Sequence, residues 1–242
     1  MRIAVLFDGA GLARLGLERA GHECVGVELD PWKHHLSRFV GSGNCVLGDA
    51  TKFDLSSFDA VWASPPCQLY SSARTQGSPV SGFAGDFLAW SLALPAPVLW
   101  VENVIPQGRT PDWGTPYNAA QFISDPVQSR NRMVGGRFEP PSVFCDYRKR
   151  FGGICPAITA TEYKGCATDK RRASRFYGRK LTLDEAAYHQ GFEIPATWRV
   201  VPSGFTRSQW EHNLYEAIGN GVPVYMAEAF GRAYPVAGQA VA

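Results

Sequence analysis

The sequence predicts an α/β fold whose core is an open, mostly parallel sheet, and three neighbouring features support this. Residues 2–7 form an apolar run of strand length, and 8–11 follow as a glycine-rich turn. The turn opens an amphipathic pattern that ends at Gly21, as a helix does. A second apolar run, Cys24–Val27, comes directly after it. Strand, glycine turn, helix and strand in that order are the repeating unit of a parallel sheet.

Composition places the chain among ordinary globular proteins. Its 242 residues are 45% hydrophobic and 19% charged, which suits one large domain or a domain with a lobe. No apolar run approaches the length of a membrane span, and the N-terminus lacks a signal-peptide pattern. We therefore expect a cytoplasmic protein that does not contact a membrane. The six cysteines lack the paired spacing of a zinc site, so free thiols and no metal are expected. We also expect a monomer.

Charge is unevenly distributed along the chain. The formal net charge is +2, yet residues 137–180 hold eleven Lys and Arg against four Asp and Glu, a local +7 that leaves −5 elsewhere. Such a basic segment is typical of proteins that bind a polyanion. A solvated charged face explains the same pattern if nothing else points to nucleic acid.

The glycine turn and the acid after the second strand form a nucleotide-cofactor signature. Gly9 and Gly11 let a ligand approach the backbone, and the carboxylate of Glu28 can accept hydrogen bonds from both ribose hydroxyls. Asp49, at the end of a third predicted strand, could bond an adenine amino group. Trp32 could stack on that ring, or it is a partly buried surface aromatic.

Two reactive residue types follow other predicted strands. The apolar run Phe58–Ala63 ends at two prolines, which hold Cys67 on a fixed turn at the strand end. Glu102 stands at the end of the run 97–101. Because an open α/β fold keeps its chemistry at the carboxyl ends of its strands, both residues are expected at one edge of the sheet. The alternatives are a buried, inert cysteine and a glutamate that caps a turn.

Three later segments complete the pattern. The serine- and glycine-rich stretch 69–85 has the composition of a mobile lid. Arg130 and Arg132 are expected on one face of an extended segment. Thr182 begins a capping-box pattern, which predicts a helix over 183–190.

These segments, in this order, resemble the cytosine-C5 DNA methyltransferase family, whose methyl donor is S-adenosylmethionine. The resemblance runs nearly from end to end of the chain. The matching residues are Leu6–Gly11, Glu28, Gly48–Asp49, Pro66–Gln68, Glu102–Val104, Gln128, Arg130, Arg132, Ile158–Ala160 and Gly219–Pro223. Each motif is loose by itself, but so many in family order are not expected by chance.

The resemblance implies a Rossmann-like S-adenosylmethionine-dependent methyltransferase fold with a small basic second lobe. The catalytic domain is expected to comprise residues 1–136 and 215–242. The lobe, for target recognition and DNA binding, is expected to comprise residues 137–214. The implied activity is methylation of C5 of cytosine in DNA, with duplex DNA as the partner.

The resemblance also implies roles for four residues. The Cys67 thiolate attacks C6 of cytosine and makes C5 a nucleophile toward the methyl donor. A free thiol is only roughly a few per cent ionised near neutral pH, so the site is expected to help deprotonate it. Glu102 shares a proton with N3 while the thiolate adds. Arg132 contacts the base carbonyl, and Arg130 braces the site near Cys67 and Glu102.

A cofactor pocket and a DNA surface follow from the same resemblance. The implied cofactor-binding residues are Phe7, Gly9, Gly11, Glu28, Trp32, Asp49, Pro66, Asn220 and Val222. A duplex hides C5 and C6 in its base stack, so the family flips the cytosine out, at a cost of roughly a few kcal/mol. The residues expected at the DNA are Gln68, Ser71, Ser72, Arg74, Gln76, Arg148, Lys149, Arg150, Lys170, Arg171, Arg172 and Arg175.

The chain departs from the family pattern at its cofactor turn and beside its cysteine. Leu12 stands where the family usually has a second consecutive glycine, and Asp8 is unusual before Gly9. A differently shaped pocket is therefore expected. Ser64–Pro66 is also similar to the amino-methyltransferases, which carry an aromatic residue in the place of Cys67.

A third departure concerns target recognition, because only residues 137–155 stand where many family members carry a long recognition region. Short loops contact few base edges, so we expect a short or relaxed target and an affinity supplied largely by phosphates. RNA or a free cytidine nucleotide remains open as the substrate. A catalytically weak nucleic-acid-binding protein is the alternative from another class, although intact Cys67, Glu102 and Arg132 argue against it.

Overall fold

A central sheet of seven strands organises the described part of the protein. The computed structural model describes residues 1–67, 84–105, 112–123, 125, 128–144, 154–160, 162 and 177–235. The strands are β1 (Arg2–Leu6), β2 (Glu23–Glu28), β3 (Cys45–Leu47), β4 (Ala60–Ala63), β5 (Val98–Asn103), β6 (Thr115–Asn118), β7 (Gln128–Ser129), β8 (Asn131–Arg137) and β9 (Cys155–Pro156). The order across the large sheet is β3-β2-β1-β4-β5-β8-β6, and β7 pairs with β9 in a separate ladder. Strands β1 to β5 run parallel, whereas β8 is antiparallel to β5 and β6.

Six α-helices lie within the described residues. They are α1 (Leu12–Arg19), α2 (Pro31–Ser37), α3 (Ala84–Leu92), α4 (Leu183–Gln190), α5 (Arg207–Asn220) and α6 (Val224–Arg232). The start of α4 is the predicted capping box, in which the Thr182 side chain accepts from Glu185 N and Glu185 accepts from Thr182 N. None of these helices is both long and apolar enough to cross a membrane.

Both faces of the sheet are buried, as the alternation of side chains along parallel strands requires. On one face Val5 and Trp62 pack in a cluster with Phe230 of α6. On the other face Leu6 packs in a cluster with Leu88 of α3. Burying one such apolar side chain contributes about 1.5–3 kcal/mol, so the two layers fix the strands that end at the site.

A third apolar cluster joins α4 and α5 to the first two helices. Trp198 is fully buried, and its indole N–H donates to Leu36 O of α2 at 3.0 Å. Leu12 of α1 and Trp210 of α5 belong to the same cluster. Part of the predicted lobe 137–214 thus packs directly on α1 and α2. The proposed division into a domain and a lobe stays a prediction.

The structure confirms the α/β fold class with its mostly parallel sheet, and it differs from the sequence-based prediction in two places. Glu102 and Asn103 lie inside β5 because they continue its ladder opposite Val134 and Met133 of β8. Helix α5 was not predicted, although its N-cap Thr206 forms a capping box. Its sequence mixes polar and apolar residues without a strong amphipathic stripe, so packing against α4 decides its conformation.

Candidate active site

The residues predicted to react stand at one edge of the sheet. Leu6, Ala63 and Val101 are aligned across β1, β4 and β5. The cofactor turn follows Leu6, Cys67 lies a short way beyond Ala63, and Glu102 is the next residue after Val101. Parallel pairing therefore delivers the thiol, the carboxylate and the glycine turn to the same edge.

Glu102 and Arg132 form a nearly buried ion pair. Nε of Arg132 lies 2.7 Å from Oε1 of Glu102, and the two side chains are 13% and 6% exposed. The charged groups that act on the Cys67 thiol include Arg132, Glu102 and Arg130. Three of the four predicted catalytic residues are thus brought together, with Arg130 close behind them.

The environment of Cys67 works against its ionisation. Burial raises the pKa of the Cys67 thiol above its ordinary value, and this effect outweighs the opposing charges of Arg132 and Arg130. The expected help with deprotonation is therefore not seen in the free protein. A buried thiol loses more from desolvation than it gains from arginines that already have other partners.

Arg130 differs from Arg132 in what it contacts. Its fully buried guanidinium donates to the carbonyl oxygens of Ile158, of Gly219 at 2.7 Å and of Gly221 at 3.1 Å. Burial lowers the pKa of Arg130 to about 9, so the group is still protonated at neutral pH. Arg130 thus joins the backbone at Ile158 to the backbone at Gly219 and Gly221.

Two buried glutamines extend this polar cluster, and Gln190 was not predicted from the sequence. Gln128 donates to His189 O at 2.6 Å and to Gln190 Oε1 at 2.9 Å, and it accepts from Ile158 N at 3.0 Å. Gln190 donates onward to Ile218 O and, at 3.2 Å, to Gly221 O. The local signal for Gln190 was its place directly before the helix-ending Gly191, whereas its full burial is seen only in the structure.

The turn after β1 has an unusual backbone with one open side. Phe7, Gly9 and Gly11 all have positive φ (59°, 59° and 84°), and Phe7 is the one described non-glycine residue in that region. A Cβ added at Gly9 would meet nothing within 4 Å. A ligand can therefore approach the backbone at Gly9, as the sequence predicts.

Glu28 lies directly beside this turn. Its Oε2 accepts from Gly9 N at 2.7 Å, and its Oε1 accepts from Asp30 N at 2.8 Å. Burial raises the pKa of Glu28, whereas these two N–H groups lower it. The next residue, Leu29, is 69% exposed and was not singled out from the sequence. An open glycine, a fixed carboxylate and an exposed apolar side chain together fit a nucleoside-bearing cofactor.

The remaining predicted cofactor residues have mixed positions. Asp49 accepts from Thr51 N and Oγ1, at 2.9 and 2.7 Å. Trp32 packs against the cluster of α2, α4 and α5, and Val222 belongs to the core under α6. Pro66 is half-buried, and Asn220 is exposed at the end of α5. Their cofactor roles stay predictions.

All predicted DNA contacts fall outside the described residues: Gln68, Ser71, Ser72, Arg74, Gln76, Arg148, Lys149, Arg150, Lys170, Arg171, Arg172 and Arg175.

No cluster of three or more possible metal ligands occurs in the part of the chain that the structure describes. A cleft of about 510 Å³ between Leu15, Phe39, Tyr188 and Glu228 contains none of the predicted site residues. The proposed chemistry therefore does not depend on that cleft.

Comparison with known proteins supports the resemblance to the cytosine-C5 DNA methyltransferases and the methyltransferase fold. Residues 1–82 match the family model of the C-5 cytosine-specific DNA methylases. No curated protein matches the chain. Similar solved structures include Dnmt2 methyltransferase of S. pombe, with 14% identity, TM-score 0.58, and 96% of this chain and 97% of that chain covered. A putative prophage DNA modification methyltransferase from E. coli has 16% identity, TM-score 0.58, and coverage of 96% and 98%.

These matches confirm the resemblance and the fold. The family match includes the glycine turn, Glu28, Asp49 and Cys67. The structural matches extend the methyltransferase fold over nearly the whole chain. At these identities they establish the fold and leave the substrate open.

Proposed function

From the resemblance to the C-5 cytosine-specific DNA methylases, confirmed over residues 1–82, we propose that the protein methylates C5 of cytosine in duplex DNA. The observation that carries this proposal is the meeting of Cys67, Glu102 and Arg132 at the sheet edge that also holds the open glycine turn. The recognition sequence is short or relaxed, and the methyl donor is S-adenosylmethionine.

The chain's own residues perform the activation of the base. The Cys67 thiolate forms a bond from Sγ to C6, and the electron pair of the C5–C6 double bond moves toward C5 and N3. Glu102 in its protonated form shares its proton with N3, which prevents negative charge from accumulating on the ring. Arg132 holds the base carbonyl oxygen with its guanidinium. After methylation a water molecule takes the C5 proton, Glu102 takes back the N3 proton and Sγ departs as the thiolate, which restores the C5–C6 double bond.

S-adenosylmethionine, when bound, supplies an electrophilic methyl group. The open backbone at Gly9 and the carboxylate of Glu28 would hold its nucleoside part, and Leu29 would offer the adenine an apolar surface. Asp49 would accept from the adenine amino group. The backbone N–H groups of Gly9 and Asp30 donate to the Glu28 carboxylate and so fix its position beside the turn.

Arg132 already holds Glu102, so the entering base has to share this ion pair. The two side chains match the hydrogen-bonding groups of the cytosine edge, because the carboxyl group of Glu102 would face N3 and the guanidinium of Arg132 would face the carbonyl oxygen. Substitution Glu102→Gln removes the transferable proton but keeps the shape. We expect a loss of about 100-fold in kcat for methyl transfer, within the usual range for one acid–base group. Binding of S-adenosylhomocysteine, the unreactive product, is the control and should be unchanged.

Activity should increase with pH because burial keeps Cys67 protonated in the free protein. The pKa of this thiol is raised, so the thiolate is the minor form below that pKa and increases as pH rises toward it. We expect kcat/KM for DNA to rise about tenfold per pH unit between about pH 6.5 and 8.5. A flat profile across that interval, with the protein folded throughout, would contradict a rate that depends on thiolate formation.

Methyl transfer from labelled S-adenosylmethionine tests the proposed substrate. Duplex DNA of mixed sequence, single-stranded DNA, RNA and deoxycytidine nucleotides are compared, and the label is mapped at base resolution. Label at C5 of cytosine in duplex DNA supports the proposal, and the flanking bases define the recognition sequence. Label on RNA or nucleotides alone keeps the chemistry and overturns the substrate. DNA binding without label anywhere favours the catalytically weak binding protein.

A further inference from the structure

A buried ion pair directly under the cofactor turn has no part in the chemistry described above. The Asp8 side chain is fully buried, and so is the side chain of Arg14 on α1. Arg14 Nε lies 3.2 Å from Asp8 Oδ2, and the Ser37 hydroxyl at the end of α2 also donates to that oxygen. This aspartate is the residue that departs from the family pattern before Gly9.

Arg14 connects the turn to two further segments. It donates to Ser37 O at 2.7 Å and to Ser37 Oγ at 2.9 Å. It also donates to Glu18 Oε1 at 3.0 Å and to Ser42 Oγ at 3.3 Å. A single guanidinium therefore joins the turn, helix α1, the end of α2 and the loop that leads to β3.

The glycines around the pair show how closely it is enclosed. A Cβ added at Gly26 of β2 would collide with Asp8 Oδ2, and one added at Gly11 would lie 2.8 Å from Arg14 Nη2. Gly9, in contrast, faces open space. The ion pair thus fixes the closed side of the turn while the other side stays free for a ligand.

Stability alone does not explain this arrangement. Burying two charges costs several kcal/mol of desolvation, and apolar replacements of similar volume are often as stable. What the pair adds is a side-chain anchor, besides the backbone hydrogen bonds from Asp8 N to Val27 O and from Gly11 N to Asp8 O, for the Phe7–Gly11 turn, where three residues have positive φ. The path of this turn directs Gly9 N toward Glu28 Oε2.

We propose that Asp8 and Arg14 are positioning residues for the cofactor, which set its affinity by holding the Phe7–Gly11 turn and, through Gly9, the Glu28 carboxylate. This inference rests on the proposed use of S-adenosylmethionine. The pair should affect cofactor binding and not the methyl-transfer step, because Asp8 lies behind the turn whereas Cys67 follows the end of a different strand. Loss of the pair should therefore raise KM for S-adenosylmethionine and leave kcat at saturation within about twofold.

The test is the affinity for S-adenosylhomocysteine, measured by calorimetry on Asp8→Asn and wild type. Asp8→Asn keeps the shape and removes the charge, and we expect at least a tenfold weaker affinity. Amide hydrogen exchange at Gly9 and Gly11 should become faster in the same variant. Phe230→Leu, in the core cluster with Val5 and Trp62, is the control for general loss of stability. At an equal loss of melting temperature it should bind S-adenosylhomocysteine like wild type.

The outcomes separate this inference from the proposed function. If wild type fails to bind S-adenosylhomocysteine, the proposed function is wrong, and the inference falls with it. If wild type binds but Asp8→Asn binds equally well, or no more weakly than Phe230→Leu, the inference alone is wrong. Should Asp8→Asn not fold, Ser37→Ala decides, because it keeps both charges and removes only the hydroxyl that donates to Asp8 and accepts from Arg14. A threefold weaker affinity in Ser37→Ala supports the inference, and an unchanged affinity overturns it.

Discussion

Substitution Cys67→Ala should reduce methyl transfer by at least about 10³-fold, since removal of a covalent nucleophile costs the larger part of a catalysed rate. Cys67 stands beyond the end of β4 under the combined charges of Arg132, Glu102 and Arg130. A methyl side chain cannot add to C6, so C5 stays unreactive. Affinity for DNA and for S-adenosylhomocysteine should remain, because neither requires a covalent bond. Transfer is measured with labelled donor at saturating DNA.

Cys24→Ala is the matched control. Cys24 is also a free cysteine, buried where Cys67 is half-buried, and it lies on β2 at the end of the strand opposite Glu28. It should keep near wild-type transfer after correction for any loss of stability. Equal activity in Cys67→Ala and wild type would exclude the covalent route through this thiol. A trapped adduct with a 5-fluorocytosine substrate, formed by wild type and absent from Cys67→Ala, would support it directly.

Arg130→Ala should lower the free energy of unfolding by about 3–5 kcal/mol, the effect expected when one partner of a buried charged network is removed. The substitution leaves the carbonyl oxygens of Ile158, Gly219 and Gly221 without their shared donor. A water molecule can replace only part of those contacts in so enclosed a space. Urea unfolding followed by tryptophan fluorescence measures the change.

Arg137→Ala is the control for that experiment. Arg137 is the last residue of β8, the strand that begins directly after Arg130, and it also donates to backbone carbonyls, those of Leu94 and Ala96. Because Arg137 is exposed, water can donate to these carbonyl oxygens in the variant. The free energy of unfolding should therefore fall by only about 1 kcal/mol. An equal decrease in the free energy of unfolding in the two variants would show that the burial of Arg130 does not increase its contribution to stability.

The sequence was a good guide wherever a local pattern and one topological rule were sufficient. The apolar run before two prolines placed Cys67, and the run 97–101 placed Glu102. Parallel strands then required both at one sheet edge, and the structure places them there. The helix over 183–190 was equally accessible, since Thr182 and Glu185 form its cap within a few residues.

Sequence patterns were insufficient where partners are far apart along the chain. Arg130 and Arg132 were expected on one face and in one site, yet their contacts differ. Arg132 pairs with Glu102, whereas Arg130 lies between β7 and β8, where the chain passes from one ladder to the other. Its carbonyl partners come from Ile158 and from Gly219, 89 residues further along the chain. No spacing rule connects such positions.

The sequence by itself therefore determined the α/β fold class, the glycine turn after β1 and the strand ends that carry the residues proposed to react, because each depends on neighbours in the chain. Only the tertiary structure decided the surroundings of these groups: Arg130 donates to backbone carbonyls, Arg14 pairs with Asp8 under the turn, and burial raises the pKa of the Cys67 thiol. Burial and long-range contacts set the free energy of an ionised side chain in the folded protein, and a local sequence pattern reveals neither.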